Sequence, residues 1–254
     1  IDAASSDFQG EVTIVDNDGT PSVTIGDVTV NEGDGTVSVP VTLSGPSSEN
    51  TVIDIVTNIG TAGTSDYTTV TTQVTIPAGA LTVNVIIPIL EDLLDEPNEI
   101  FTVDGTLVSG TIDAASSDFQ GEVTIVDNDN APSVTIGDAT ITEGGILTFN
   151  VTLSNPSSED ITLTFGYTNG TASDLDYDTT VVTITILAGE TTGVVTVQTT
   201  DDNIDENDET FTIGITSSTG LVGDTSDTGL GTILDDDNAP SVTIGDATIT
   251  EGGI

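Results

Sequence analysis

Acidic side chains recur in register at four places along this sequence. The first set is Glu32 in "VNEGDG", Asp66 in "TSDY", Glu91, Asp92, Asp95, Glu96 and Glu99 in "EDLLDEPNE", and Asp127 and Asp129 in "VTIVDND". The second set is Glu143 in "ITEGG", Asp176 in "LDY", Asp201, Asp202, Asp205, Glu206 and Glu209 in "DDNIDENDE", and Asp235, Asp236 and Asp237 in "TILDDD". Carboxylates that converge repel one another strongly at low dielectric unless a cation lies among them. The protein cannot supply that cation itself: it has 43 Asp plus Glu, no Lys, Arg or His, and a formal charge of -43. Cys is also absent, so thiolate and imidazole ligands are excluded and only oxygen donors remain. Calcium suits such a donor set, because it takes roughly six to eight oxygens in flexible geometry while magnesium keeps its water. An acidic loop alone is ordinarily a solvated face. Here the register, the clustering and the lack of any basic residue favour a metal, whereas Asp2, Asp7, Asp54 and Asp104 fall outside the four places and read as plain surface.

Loops must bring these groups together, and the elements between the loops read as strands. "TVSVPVTL" puts Val37, Val39, Val41 and Leu43 on one face, and "LTVNVIIPIL" does the same with Leu81, Val83, Val85, Ile87 and Ile89. Further strands are expected over 22–30, 52–57, 69–76, 101–108 and 122–126, about seven in all, separated by turn-forming runs such as "SGPSSEN" and "GTAGTSDY". No stretch has a helical period with caps. Seven short strands in about 110 residues predict an antiparallel sandwich of immunoglobulin type, whose loops gather at two ends.

Internal repetition divides the chain. Ile1 to Asp18 recur unchanged as Ile112 to Asp129, and Asp129 to Ile146 recur unchanged as Asp237 to Ile254. The expected domains are the tail of a preceding repeat (1–18), two full repeats (19–130 and 131–238) and the start of a following one (239–254). Only "DNDNAP" joins the full repeats, and Pro132 stiffens it, so sandwiches placed end to end as a rod are expected.

The composition also excludes functions. Without Lys or Arg the chain has no electrostatic hold on nucleic acid or an anionic membrane, and no apolar run is long enough for a membrane helix. Without His, Cys, Lys or Arg, catalytic triads, Schiff bases and phosphate clamps are unavailable, and carboxylate pairs of glycosidase type are better explained as metal ligands, so no enzyme is expected. "DNDGTP" lacks the later acids of an EF-hand loop, and no GGxGxD repeat is present. Asn150 and Asn169 match the short glycosylation sequon.

At "PSVTIGDVTVNEGDG", "GTAGTSDY", "EDLLDEPNEIF" and "VTIVDND", and at "PSVTIGDATITEGG", "NGTASDLDY", "DDNIDENDETF" and "TILDDD", the chain resembles the Calx-beta family. That family is a calcium-binding repeat named for the regulatory region of sodium/calcium exchangers. The resemblance implies an all-β, seven-strand immunoglobulin-like sandwich with calcium at one end. It implies as ligands Glu32, Asp66, Glu91, Asp92, Glu96, Glu99, Asp127 and Asp129 in the first repeat. In the second it implies Glu143, Asp176, Asp201, Asp202, Glu206, Glu209, Asp235, Asp236 and Asp237. The first repeat departs from the pattern with Glu91 where Asp is usual and Asn128 at the centre of the final triplet.

Near-identical blocks and extreme acidity resemble the repeat tracts of giant bacterial surface adhesins, among them gliding-motility adhesins. The expectation is a calcium-rigidified spacer in an extracellular filament on a bacterial cell surface. Its partners would be calcium and adjacent repeats, other regions would bind a distal surface or glycan, and neither nucleic acid nor membrane insertion is involved. The alternatives are a calcium-sensing regulatory module and repeats that bind glycan or surface directly.

Overall fold

The computed structural model describes residues 10–15 and 17–252, so much of the expected tail at 1–18, including Asp2 and Asp7, lies outside the described residues. The chain folds as two units with separate cores. In the first, alternating residues form β1 (Val23–Ile25), β2 (Val28–Asn31), β3 (Thr36–Leu43), β4 (Thr51–Ile59), β5 (Thr71–Ile76), β6 (Thr82–Pro88), β7 (Glu99–Ser109) and β8 (Gln120–Val126). They make two sheets, β1-β3-β6 and β2-β8-β7-β4-β5. The second unit repeats this with β9 (Val134–Ile136), β10 (Ala139–Thr142), β11 (Ile146–Leu153), β12 (Ile161–Asn169), β13 (Thr183–Ile186), β14 (Thr192–Gln198), β15 (Glu209–Thr219) and β16 (Thr228–Leu234), in sheets β9-β11-β14 and β10-β16-β15-β12-β13. Each unit is an immunoglobulin-like sandwich. Among the described residues no helix is long and apolar enough to cross a membrane.

The faces follow the period-2 reading. Val37, Val39, Val41 and Leu43 are buried, as are Val85, Ile87 and Ile89, while Leu81 is exposed just before β6 begins. The expected single strand over 22–30 is two strands. The apolar phase slips between Ile25 and Val28, and the chain crosses from one sheet to the other at Gly26–Asp27. There the Gly26 N–H donates to the Pro40 carbonyl at 2.9 Å, and the Glu122 N–H donates to Asp27 Oδ1 at 2.8 Å. The second half, β2, then runs parallel to β8, as β10 does to β16. Among the described residues each unit therefore has eight strands rather than seven.

Of Asp54 and Asp104, expected as plain surface, Asp54 is exposed and Asp104 half-buried, and both are held by amides across strands. Gln73 donates to Asp54 at 2.8 Å, and Asn58 and Gln120 donate to Asp104 at 2.7 and 2.8 Å.

Candidate metal centre

Each full repeat gathers carboxylates from the loops that sequence reading singled out. In the second repeat, Asp176 ends a tight turn in which its Oδ2 accepts from the Ser173 N–H at 2.6 Å. The next residue, Tyr177, is buried and stacks on Phe211 with ring centroids 3.9 Å apart. Phe211 lies two residues beyond Glu209 on β15, so this stack fixes Asp176 against the start of that strand. Asp66, Tyr67 and Phe101 repeat the arrangement in the first repeat, with the same 3.9 Å stack.

Glu143 comes from the turn between β10 and β11, which is wired to two of the other three acidic segments. The Glu143 N–H donates to the Leu234 carbonyl at 3.0 Å, just before Asp235, and the Gly144 N–H donates to the Thr200 carbonyl at 3.1 Å, just before Asp201. Gly144 has φ +74°, and a β-carbon there would lie 2.8 Å from Asp201 Cβ. Only glycine allows that approach without strain.

Among the described residues four groups of three carboxylates result, each with ligand-type oxygens all within 4.8 Å of one another: Glu32, Asp127 and Asp129; Asp66, Glu96 and Glu99; Glu143, Asp202 and Asp237; and Asp176, Glu206 and Glu209. Glu32 and Asp66 are buried. The groups holding Asp66 and Asp176 use corresponding positions in the two repeats, whereas the Glu143 group takes Asp202 where the Glu32 group takes Asp127. In the second repeat Glu143, Asp176, Asp202, Glu206, Glu209 and Asp235 line one concavity. Asp235 accepts from the Glu206 N–H at 3.2 Å and the Asp236 N–H donates to Glu143 at 3.4 Å, so both border these groups without joining them. Asp201 stays exposed beneath Gly144. Glu91 and Asp92 also lie outside the groups, Asp92 accepting from the Leu94 N–H at 2.7 Å.

The protonation of these groups reflects their crowding. Burial first, then the Asp176 carboxylate beside it, pushes Glu209 up to about 7. Burial followed by neighbouring carboxylates also raises Glu206 and Asp237. Glu143 is raised chiefly by burial, and so is Asp127. Asp127 Oδ1 and Asp237 Oδ2 are buried atoms with no hydrogen-bond partner. Desolvated, mutually repelling oxygens aimed into shared space fit a divalent cation, and an all-oxygen set with several carboxylates fits calcium.

The Calx-beta domain model matches residues 15–129 and again 127–246. The chain belongs to the Calx-beta family. No curated protein matches. Among solved structures it is similar to CBD12 from CALX1.2, at 19% identity and TM-score 0.40 over 84% of this chain and 99% of that one. It is also similar to the calcium binding domain CBD12 of CALX1.1, at 17% identity and TM-score 0.40 over 84% and 99%. A third is the apo-form Calx CBD1 domain, at 20% identity and TM-score 0.38 over 44% and 100%.

Sequence reading missed the neutral residues that hold these Calx-beta loops. Gln198 and Thr199 bind the Glu143 turn, but neither is acidic nor part of a family motif. Asn169, read as a sequon, is engaged by Tyr177 Oη and donates to Asp174 at 2.7 Å.

Proposed function

We propose that the two Calx-beta repeats bind calcium and serve as structural spacers of a long extracellular adhesin or filament on a bacterial cell surface, with calcium rigidifying each repeat. One observation carries the calcium reading: two three-carboxylate groups per repeat in a chain with no basic side chain to neutralise them. Glu32, Asp66, Glu96, Glu99, Asp127 and Asp129 would hold calcium in the first repeat, and Glu143, Asp176, Asp202, Glu206, Glu209 and Asp237 in the second. Asp235 and Asp236 border the second set. Calcium, when bound, would supply the positive charge that each group lacks, and the residues supply a set of oxygens brought together by tertiary folding. Saturation therefore stabilises the fold by mass action.

The spacer role draws support from the near-identical blocks and the acidity of the chain. The test is a calorimetric calcium titration of the 254-residue chain, with melting in calcium and in chelator. A dissociation constant between tens of micromolar and millimolar with a large rise in melting temperature is expected for an extracellular spacer. Submicromolar affinity would favour a calcium sensor, and neither heat nor a shift would return the carboxylates to solvated surface.

A further inference from the structure

Gln198 is the last residue of β14, opposite Ile146 at the start of β11. Its Nε2 lies 2.9 Å from the Gly144 carbonyl, 3.0 Å from the Gly145 carbonyl and 2.9 Å from the Thr199 carbonyl. Carbonyls only accept, so the amide nitrogen must face them, with its two N–H bonds shared among three oxygens. Thr199 adds its own N–H and its Oγ1, both 2.9 Å from the Gly145 carbonyl. The turn after Glu143 is thereby clamped to the end of β14, from which Asp201 and Asp202 follow. Glu143 and Asp202 belong to the same carboxylate group.

The first repeat solves this problem differently. The corresponding strand position, opposite Thr36, is Pro88, which has no side-chain donor. Its turn is one residue longer; the Ile89 N–H donates to the Gly35 carbonyl at 3.1 Å as the Thr199 N–H does to Gly145, but the side-chain hold comes from within, where the Asn31 N–H and side-chain amide donate to Asp34 Oδ2 at 3.1 and 3.4 Å. An amide suits the second repeat because it supplies donors without charge. A Lys there would pair with the carboxylates and compete with the cation, and an acid would repel both the carbonyls and its neighbours.

We propose that Gln198 is a positioning residue for calcium binding in the second repeat, setting Glu143 against Asp202 through the Gly144–Gly145 carbonyls; this rests on the calcium reading above. Removing a group that orients a metal ligand typically costs about 10- to 100-fold in affinity. Calcium titration of the 254-residue chain should show Gln198→Leu weakening one class of sites about tenfold, while the other sites and the melting curve in chelator stay as in the unsubstituted protein. Gln198→Pro, carrying the residue of the first repeat, should weaken the same class and serves if Gln198→Leu fails to fold. Unchanged affinity overturns the proposal, as does a fall in chelator stability with affinity intact, which would mark a merely structural role. The unsubstituted protein separates the two readings: if it takes up no calcium, the calcium reading fails, and the role of Gln198 with it.

Discussion

Glu209 opens β15 with its carboxyl hydrogen-bonded to Asp176, and burial with that neighbour holds it protonated up to about 7 against an ordinary 4.5. Between these values the folded, metal-free chain keeps a proton that the unfolded chain has released. The native state then binds more protons, so its stability falls as pH rises through that window. Glu206, Glu143 and Asp237, also raised, add in the same direction. Calcium demands the deprotonated carboxylates, so its binding releases protons and weakens as pH falls. Melting in chelator should therefore drop between about pH 5 and pH 7.5 while melting in saturating calcium rises, and Glu209→Gln should flatten the chelator trend. A chelator profile already flat in the unsubstituted protein would show that Glu209 ionises at its ordinary value.

The sheet switch imposes a demand on the last strand of each repeat. A β-carbon at Gly121 would lie 2.7 Å from the Gly26 carbonyl, and one at Gly229 would lie 2.8 Å from the Gly137 carbonyl and 2.7 Å from Ile136 Cγ2. The crossing backbone therefore presses on the final strand where only glycine leaves room. Gly229→Ala should destabilise the second repeat by about 1–3 kcal/mol, the usual cost of overpacking, with chelator melting as the measure; an unchanged curve would mean that the strands part at no cost. This crossing was present in the sequence as a slip of the apolar phase, from Val23 and Ile25 to Val28 and Val30, but turn residues alone did not separate it from one long strand. The sandwich itself was legible because Val37 to Leu43 and Val85 to Ile89 alternate cleanly. Identical sequence did not secure identical structure: Val134 to Thr142 form β9 and β10 against β11 and β16, whereas their copy at 242–250 is without strand and exposes Val242, Ile244 and Ile249. A strand needs a partner to pair with, and the copy has none among the described residues. The acidic loops were legible as a set, but the choice of Asp202 over Asp201, or the use of Gln198, depends on which backbone groups meet across the fold.

For the whole molecule the decisive quantity is a formal charge of -43 with no basic side chain. Its self-repulsion has two ranges. Acids spread over the surface repel across distances comparable with the Debye length, about 10 Å at 0.1 M salt and about 3 Å at 1 M. Oxygens within a group lie no more than 4.8 Å apart, and all but those of Asp202 and Glu206 belong to buried or half-buried residues, so mobile ions screen most of them poorly. Sodium chloride should thus relieve only the diffuse part, whereas calcium enters the groups and relieves the local part. One site with free calcium at 100 times its dissociation constant adds about 2.7 kcal/mol, while calcium at that level contributes little ionic strength. Raising sodium chloride from about 0.1 to 1 M in chelator should accordingly lift the melting temperature less than saturating calcium at constant 0.1 M salt. If sodium chloride achieved the same rise, the stabilisation would come from screening of diffuse surface charge, and the carboxylate groups would have no specific affinity for the cation.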